Sequence, residues 1–240
     1  MSNVELLRFA GDLELARTAA EQWTRQLETL ARASTPYCLA LSGGRIARRF
    51  FESVAGQTRE RRLTLNSVHF FWGDERCVPP ADSESNFAVA RELLLGPLSI
   101  LPEKIHRVRG EDAPESAAAQ AEADLRLIAP TDSAGLPVLD LIFLGLGEDG
   151  HVASLFPGES EQVTTDARVY RDVIAAKPPP RRITLGYSTI AAAKEVWVLA
   201  SGSGKENALR DSLSRGGGTP LARVLRLRRH TRIFTDIANS

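Results

Sequence analysis

The stretch LDLIFLGLGEDGH, residues 139–151, joins an apolar run to a polar turn rich in glycine. The apolar run at 139–144 predicts a strand that is covered on both faces, as strands of parallel sheets are. In sheets of that kind, ligands bind in the crevice beyond the carboxyl ends of the strands. The turn at 145–151 is therefore a candidate ligand site.

Similar strand-like runs lie on both sides of this stretch and alternate with helical patterns. Further strands are predicted at 4–9 (an edge strand), 37–41, 67–72, 183–185, 196–199 and 231–236. Apolar residues at helical spacing predict helices at 12–30, 46–55, 86–95, 115–128, 189–193, 205–213 and 220–227. Residues 73–85, rich in Pro, Asp and Ser, are predicted to form a loop. This alternation predicts an α/β fold with a mostly parallel central sheet and helices on both faces, and we expect one domain over residues 1–240.

The overall charge limits the kinds of partner that this chain can have. It has 240 residues, with 30 Lys and Arg against 30 Asp and Glu, so its formal net charge is zero. Proteins that bind nucleic acid usually carry a clear positive excess, so we expect no nucleic-acid partner. No apolar stretch approaches the roughly 18–20 residues that span a bilayer, and no membrane partner is expected. A small anionic ligand is compatible with neutrality, because it needs only a few local cations.

The cysteines and the first residues indicate a reduced, cytoplasmic protein. Cys38 and Cys77 form no CxxC motif, and with four histidines in the chain a metal site is not expected. The opening residues MSNVELLRFAGD carry acidic side chains early and contain no apolar signal core. We therefore expect a cytoplasmic location.

Four polar turns that contain glycine follow predicted strands. They are SGGR at 42–45, GDER at 73–76, GLGEDGH at 145–151 and SGSGK at 201–205. Because the carboxyl ends of parallel strands meet at one edge of a sheet, we expect these turns to form a single polar cleft.

Two of these turns suit an anion such as a phosphate. Ser42, Gly43 and Gly44 precede a predicted helix, where backbone N–H groups and the helix N-terminus can face a ligand. A tight turn that merely needs glycine explains them equally well, and Arg45 either adds charge or points to solvent. Lys205 lies at the head of a predicted helix, against the preference of the helix dipole, and a cation there makes more sense beside an anion.

Arginines at two other places have two interpretations each. Arg76 suits bidentate contact with a phosphate, but it could instead form an ion pair with Asp74 or Glu75. Near the end of the sequence a basic group could contact RNA, but zero net charge and the lack of interleaved aromatic residues favour a solvated helix face. This group consists of Arg223, Arg226, Arg228, Arg229 and Arg232.

The turn at 145–151 places Asp149 two residues before His151. A histidine there can act as a general base near neutral pH, and the carboxylate can orient its ring. The alternative is a surface or helix-capping histidine, and the Asp-Gly-His context favours a function. The turn also matches the G-x-G-x-x-G dinucleotide fingerprint, which should open a helix, but Phe156, Pro157 and Gly158 would break one.

Taken together and in order, these turns resemble the 6-phosphogluconolactonase family. The matching stretches are LSGG at 41–44, WGDER at 72–76, SNF at 85–87, LGLGEDGHVASLFPG at 144–158, RIT at 182–184 and GSGK at 202–205. The resemblance implies a Rossmann-like, three-layer α/β fold. It implies hydrolysis of 6-phosphoglucono-δ-lactone to 6-phosphogluconate, the second step of the oxidative pentose phosphate pathway, with neither a metal nor an organic cofactor.

The resemblance also implies roles for individual residues. His151 falls on the general base, with Asp149 beside it. Arg76 and Lys205 fall on groups that hold the substrate phosphate or orient the lactone. The other candidate substrate contacts are Ser42, Gly43, Gly44, Arg45, Asn86 and Arg182. The expected partner is a small phosphosugar lactone, bound by a monomer or a weak homodimer.

The sequence departs from the family at one loop, and two other functions stay open. The family usually continues SGG with Ser or Thr, one residue and Pro, whereas this chain has Arg45, Ile46 and Ala47. Glucosamine-6-phosphate deaminases of the same superfamily carry a Glu where this chain has Phe156, and a phenyl ring cannot transfer a proton, which favours the lactonase. The remaining alternative is an inert sugar-phosphate-binding module, against which the intact DGH turn argues.

Overall fold

The structure, a computed structural model, describes residues 3–30 and 35–237. Its strands are, in chain order, β1 (Asn3–Arg8), β2 (Tyr37–Leu41), β3 (Val68–Trp72), β4 (Asp74–Arg76), β5 (Leu141–Gly145), β6 (Tyr170–Ile174), β7 (Arg181–Leu185), β8 (Glu195–Ala200) and β9 (His230–Thr235). Its helices are α1 (Asp12–Leu30), α2 (Arg45–Glu60), α3 (Asn86–Ala90, continued by a π-helical turn at Arg91–Leu95), α4 (Pro114–Ile128), α5 (Glu161–Thr164), α6 (Tyr187–Ala192), α7 (Glu206–Leu213) and α8 (Pro220–Leu227). None of these helices is long and apolar enough to cross a membrane.

Six strands form a central sheet in the order β1-β9-β8-β5-β2-β3. Every neighbouring pair in it is parallel, which confirms the predicted sheet, and β1 is an edge strand as predicted. The four strands that precede the polar turns, β8, β5, β2 and β3, are consecutive in this order. The sheet topology therefore brings those turns side by side.

The central strand β5 is covered on both faces. On one face Phe143 contacts Trp23 of α1 and Phe50 of α2, with ring centroids 5.8 and 4.5 Å away. The alternate residues Ile142 and Leu144 point the other way and are also buried. The apolar run thus forms the buried parallel strand that its composition predicts.

A second, antiparallel sheet has the order β4-β7-β6 and corrects two predictions. The expected loop at 73–85 in fact begins with β4, and the strand predicted at 183–185 belongs to this small sheet. β6 was missed, because Arg171 and Asp172 interrupt its apolar residues. The register of β4 on β7 sets Arg76 opposite Arg182, so two cations of distant sequence become neighbours.

The basic group near the end of the sequence is largely structural, and the expected solvated helix face is wrong for Arg228. This side chain is buried, and its Nη1 donates to the carbonyls of Ile190, Ala191 and Ala193 at the end of α6. Helix C-termini carry free carbonyls and partial negative charge, so a guanidinium satisfies both. Arg232 instead pairs with Glu5 at 2.7 Å.

Candidate active site

The four polar turns converge on one open cleft of about 470 Å³, as the sequence predicts. Ligands of open α/β sheets bind at this edge because the strand ends and helix N-termini meet there. The cleft is lined by Ser42, Gly43, Gly44, Arg45, Ile46, Asp74, Arg76, Asn86, Gly145, Leu146, His151, Ala153, Arg182 and Lys205. Every predicted site residue lines it except Asp149, which lies behind the His151 ring.

His151 and Asp149 form a hydrogen-bonded pair. Nδ1 of His151 lies 2.6 Å from Oδ1 of Asp149, which also accepts the backbone N–H of His151 at 3.1 Å. Burial opposes ionisation of Asp149, but these hydrogen bonds outweigh it and lower the pKa of the carboxyl. A carboxylate on Nδ1 fixes the tautomer that carries its proton there. Nε2 then keeps a free lone pair, the requirement for a general base.

The turn that carries this pair has no room for a larger residue at Gly147. A Cβ at that position would overlap the His151 ring. The N–H of Gly147 donates to the carbonyl of His151 at 2.9 Å and closes the turn. No helix follows directly, since α5 begins at Glu161, so the G-x-G-x-x-G spacing does not form a dinucleotide fold. Gly147, the second glycine of this spacing, is instead needed because its backbone lies against the His151 imidazole.

A buried carboxylate, Asp74, ties three parts of the site together. It accepts the hydroxyl of Ser154 at 2.8 Å and that of Ser42 at 3.2 Å, and the Asn86 amide donates to its backbone carbonyl at 2.9 Å. The backbone N–H of Ser154 donates to Thr184 on β7. Ser154 is fully buried and bound to Asp74, so its role is structural. Sequence reasoning missed this role of Asp74, although its place directly after β3 was a signal.

Neither predicted ion pair of Arg76 is present, because its partner is Glu84. Nη1 of Arg76 donates to the carbonyl of Glu84 at 2.8 Å and lies 3.4 Å from its carboxylate. Glu75 points away from the cleft and accepts the backbone N–H groups of Arg76, Asn86 and Phe87. Burial raises the pKa of Glu75 to about 7 despite these bonds. Glu75 therefore fastens β4 to the start of α3.

Three cations of the cleft lack a salt-bridge partner among the described residues. Among the described residues, no carboxylate lies within 4.0 Å of the charged nitrogens of Arg45, Arg182 or Lys205. Burial and the charge of Arg45 lower the pKa of Lys205, although Glu148 and Asp236 act the other way. Burial and Arg76 likewise lower the pKa of Arg182. A bound anion would relieve both effects, so the cleft suits a phosphate.

Lys205 occupies the N-terminal cap position of α7, and Arg45 is the first residue of α2. The loop glycine Gly202 has a φ of +98°, and a Cβ there would lie 3.3 Å from Nη2 of Arg45. The two turns therefore approach each other closely, and two helix N-termini add their partial positive charge. Within the described ranges, no group of three or more His, Cys, Asp or Glu side chains is arranged to hold a metal ion.

Comparison with known proteins agrees with this geometry. The family model described as glucosamine-6-phosphate isomerases/6-phosphogluconolactonase matches residues 11–234. A 6-phosphogluconolactonase of Treponema pallidum is 41% identical over 173 residues, covering 71% of this chain and 70% of that protein. One of Streptomyces coelicolor is 33% identical over 224 residues, covering 90% and 86%. The structure of the Trypanosoma cruzi 6-phosphogluconolactonase has a TM-score of 0.85 at 28% identity, over 100% of this chain and 98% of that one. The chain belongs to the glucosamine-6-phosphate isomerase/6-phosphogluconolactonase family.

Proposed function

We propose that His151 is the general base of the reaction that this chain catalyses, the hydrolysis of 6-phosphoglucono-δ-lactone to 6-phosphogluconate in the pentose phosphate pathway. Relatives at 31 to 41% identity named 6-phosphogluconolactonase support the reaction. The observation that supports the role of His151 is its 2.6 Å contact with Asp149 at the edge of a cationic cleft. Because Nδ1 is held by the carboxylate, Nε2 is the nitrogen left to accept a proton from water.

The reaction proceeds in two steps. Neutral His151 removes a proton from water through Nε2, and the water oxygen forms a bond to the lactone carbonyl carbon. The resulting oxyanion is stabilised by Arg76 or by backbone N–H groups of the cleft turns. When the carbonyl reforms, the bond to the ring oxygen breaks, and protonated His151 returns its proton to that oxygen. Asp149 stabilises the imidazolium between the two steps.

The cations of the cleft bind the phosphate and orient the lactone. Lys205 and Arg45, each at a helix N-terminus, suit the phosphate. Arg76 and Arg182, paired across β4 and β7, lie on the side formed by the small sheet. A neutral chain can thus bind an anionic sugar because its charges are unevenly placed.

A coupled assay on freshly prepared 6-phosphogluconolactone, corrected for spontaneous hydrolysis, tests the reaction. His151→Ala should lower kcat by about 10² to 10⁴, the usual contribution of a general base. His230→Ala is the matched control, because His230 is exposed on β9. An unchanged kcat in His151→Ala would overturn the role of His151.

The same preparation should be tested with glucosamine 6-phosphate for release of ammonia. Ammonia release without lactone hydrolysis would identify a deaminase. Calorimetric binding of 6-phosphogluconate without turnover of the lactone would identify an inert binding module. We expect lactone turnover and no ammonia.

A further inference from the structure

The Phe156 ring contacts two polar groups of the cleft at once. Its centroid lies 5.0 Å from that of the His151 imidazole, and the planes are inclined by 45°. The guanidinium carbon of Arg182 lies 5.6 Å from the same centroid. No hydrogen bond joins the described side chains of His151 and Arg182, and both contact the same phenyl ring.

The backbone holds Phe156 in this place. The N–H of Leu155 donates to the carbonyl of Val152 at 2.9 Å, and Ala153 has a φ of +50°, which closes a tight turn after His151. Ser154 anchors the turn through its hydroxyl on Asp74 and its N–H on Thr184. The turn therefore returns Phe156 to the imidazole five residues earlier.

Hydrogen bonds to two backbone carbonyls hold the Arg182 guanidinium against the Phe156 ring. Its Nε donates to the carbonyl of Pro179 at 3.1 Å, and Nη2 lies 3.4 Å from the carbonyl of Lys177. It is buried, and among the described residues no carboxylate lies within 4.0 Å of it. The face of an aromatic ring attracts a cation, and this attraction grows when the cation is desolvated. The Phe156 ring thus partly stabilises the positive charge of Arg182, which has no carboxylate in contact among the described residues.

We propose that Phe156 is a positioning residue for lactone hydrolysis, whose ring fixes the His151 imidazole and the Arg182 guanidinium relative to each other. This inference rests on the proposed function. A fixed spacing between base and cation matters because misplacement of about 1 Å can cost 10²-fold in rate. The ring face also favours the imidazolium that forms when His151 takes a proton from water.

Two substitutions at Phe156 distinguish the contribution of the aromatic ring from that of an apolar side chain. Phe156→Leu keeps an apolar side chain and removes the aromatic face, whereas Phe156→Tyr keeps the ring. We expect kcat to fall about 10-fold in Phe156→Leu, with a smaller change in KM, and to stay within about threefold of wild type in Phe156→Tyr. Tyr also preserves the packing of the ring, so the informative result is a loss of kcat in Phe156→Leu at an unchanged melting temperature, since a merely structural contact would lower the melting temperature.

Phe9→Leu is the control, since Phe9 stacks on Phe234 at the edge of the central sheet and should leave kcat unchanged. Circular dichroism and a melting curve establish that each variant is folded. Wild-type kcat in Phe156→Leu, or equal losses in the Leu and Tyr variants, would overturn the inference. Failure of the wild type to hydrolyse the lactone would instead refute the proposed function.

Discussion

At the scale of single residues, the site depends on which side chains are left unpaired. Asp149 is hydrogen-bonded to His151, and Asp74 accepts two hydroxyls, so among the described residues neither carboxylate forms an ion pair with an Arg or Lys of the cleft. Lys205 stays without an acid within 4.0 Å in the described part of the chain. The ammonium is half-buried, and a ligand that supplies the counter-charge would offset the cost of that partial burial. Lys205 is therefore where phosphate binding is best tested.

Lys205→Ala should raise KM for 6-phosphogluconolactone by about 10-fold or more and leave kcat within about threefold. A hydrogen bond to a charged group contributes roughly 1.5–3 kcal/mol, and a phosphate contact is the same in ground and transition states. Steady-state kinetics on the phosphorylated lactone measure both constants.

The unphosphorylated glucono-δ-lactone is the control substrate, since its kcat/KM should be the same in wild type and Lys205→Ala. Arg229→Ala removes an exposed cation elsewhere and should change nothing. A fall in kcat with unchanged KM would mean that Lys205 serves the transition state instead.

At the scale of elements, the small antiparallel sheet completes the site. β4 and β7 carry Arg76 and Arg182 to the cleft, and the carboxylate of Glu75 binds β4 to the first residues of α3. Asn86 begins that helix, and its amide packs so closely on Gly43 that a Cβ there would overlap it. Glu75 is thus a buried acid whose ionisation is linked to the assembly of these elements.

The burial of Glu75 predicts a specific pH dependence of stability. Its pKa in the folded chain is raised to about 7 from an ordinary value of 4.5, so the folded state holds the proton more tightly than the unfolded state. Its contribution is fully present below pH 4.5 and is lost as pH rises through about 7. The free energy of unfolding of wild type minus that of Glu75→Gln should therefore fall between pH 5 and pH 8, by on the order of 3 kcal/mol.

Denaturant titrations of both proteins at several pH values measure this difference. Gln162→Ala is the control, because Gln162 is exposed and neither side chain titrates, so this difference should not depend on pH. A difference that is flat or rises with pH in Glu75→Gln would show that the hydrogen bonds, rather than burial, govern this carboxyl.

At the scale of the whole molecule, a second polar cluster lies at the amino ends of the parallel strands, opposite the cleft. The carboxyl ends form the cationic cleft. Near the start of β3, His69 is buried, with Nδ1 2.9 Å from Nε2 of His106 and Nε2 3.1 Å from Nζ of Lys104. An ammonium can only donate, so Lys104 donates to Nε2, and the Nδ1 proton of His69 goes to His106. Both rings are neutral in this arrangement.

This cluster predicts loss of stability in acid. Burial, together with Lys104 and His106, lowers the pKa of His69 from 6.5 to about 4. A lowered folded-state pKa means that stability is present above pH 6.5 and is lost as pH falls through about 4. The free energy of unfolding of wild type minus that of His69→Phe should fall as pH drops from 7 to 4, while kcat at pH 7 stays unchanged. A difference that is independent of pH would contradict the neutral cluster.

Much of the fold was predictable because its signals are local. The parallel strands are short apolar runs, and α8 starts at the predicted Pro220 behind the cap of Thr219. The polar turns could be located because glycine and charged residues follow those runs directly. β6 and β4 could not be predicted, since their polar side chains resemble a loop until they pair with β7.

Local signals along the chain suffice for the parallel α/β sheet, the four turns at its edge and the pair of Asp149 and His151, because strand period, glycine turns and a two-residue spacing act over short distances. Three features depend on the folded chain: Arg76 faces Arg182, Glu84 is the partner of Arg76, and Phe156 contacts both His151 and Arg182. Those contacts join residues that are distant in sequence or share no periodic pattern, and they follow from strand register and side-chain packing.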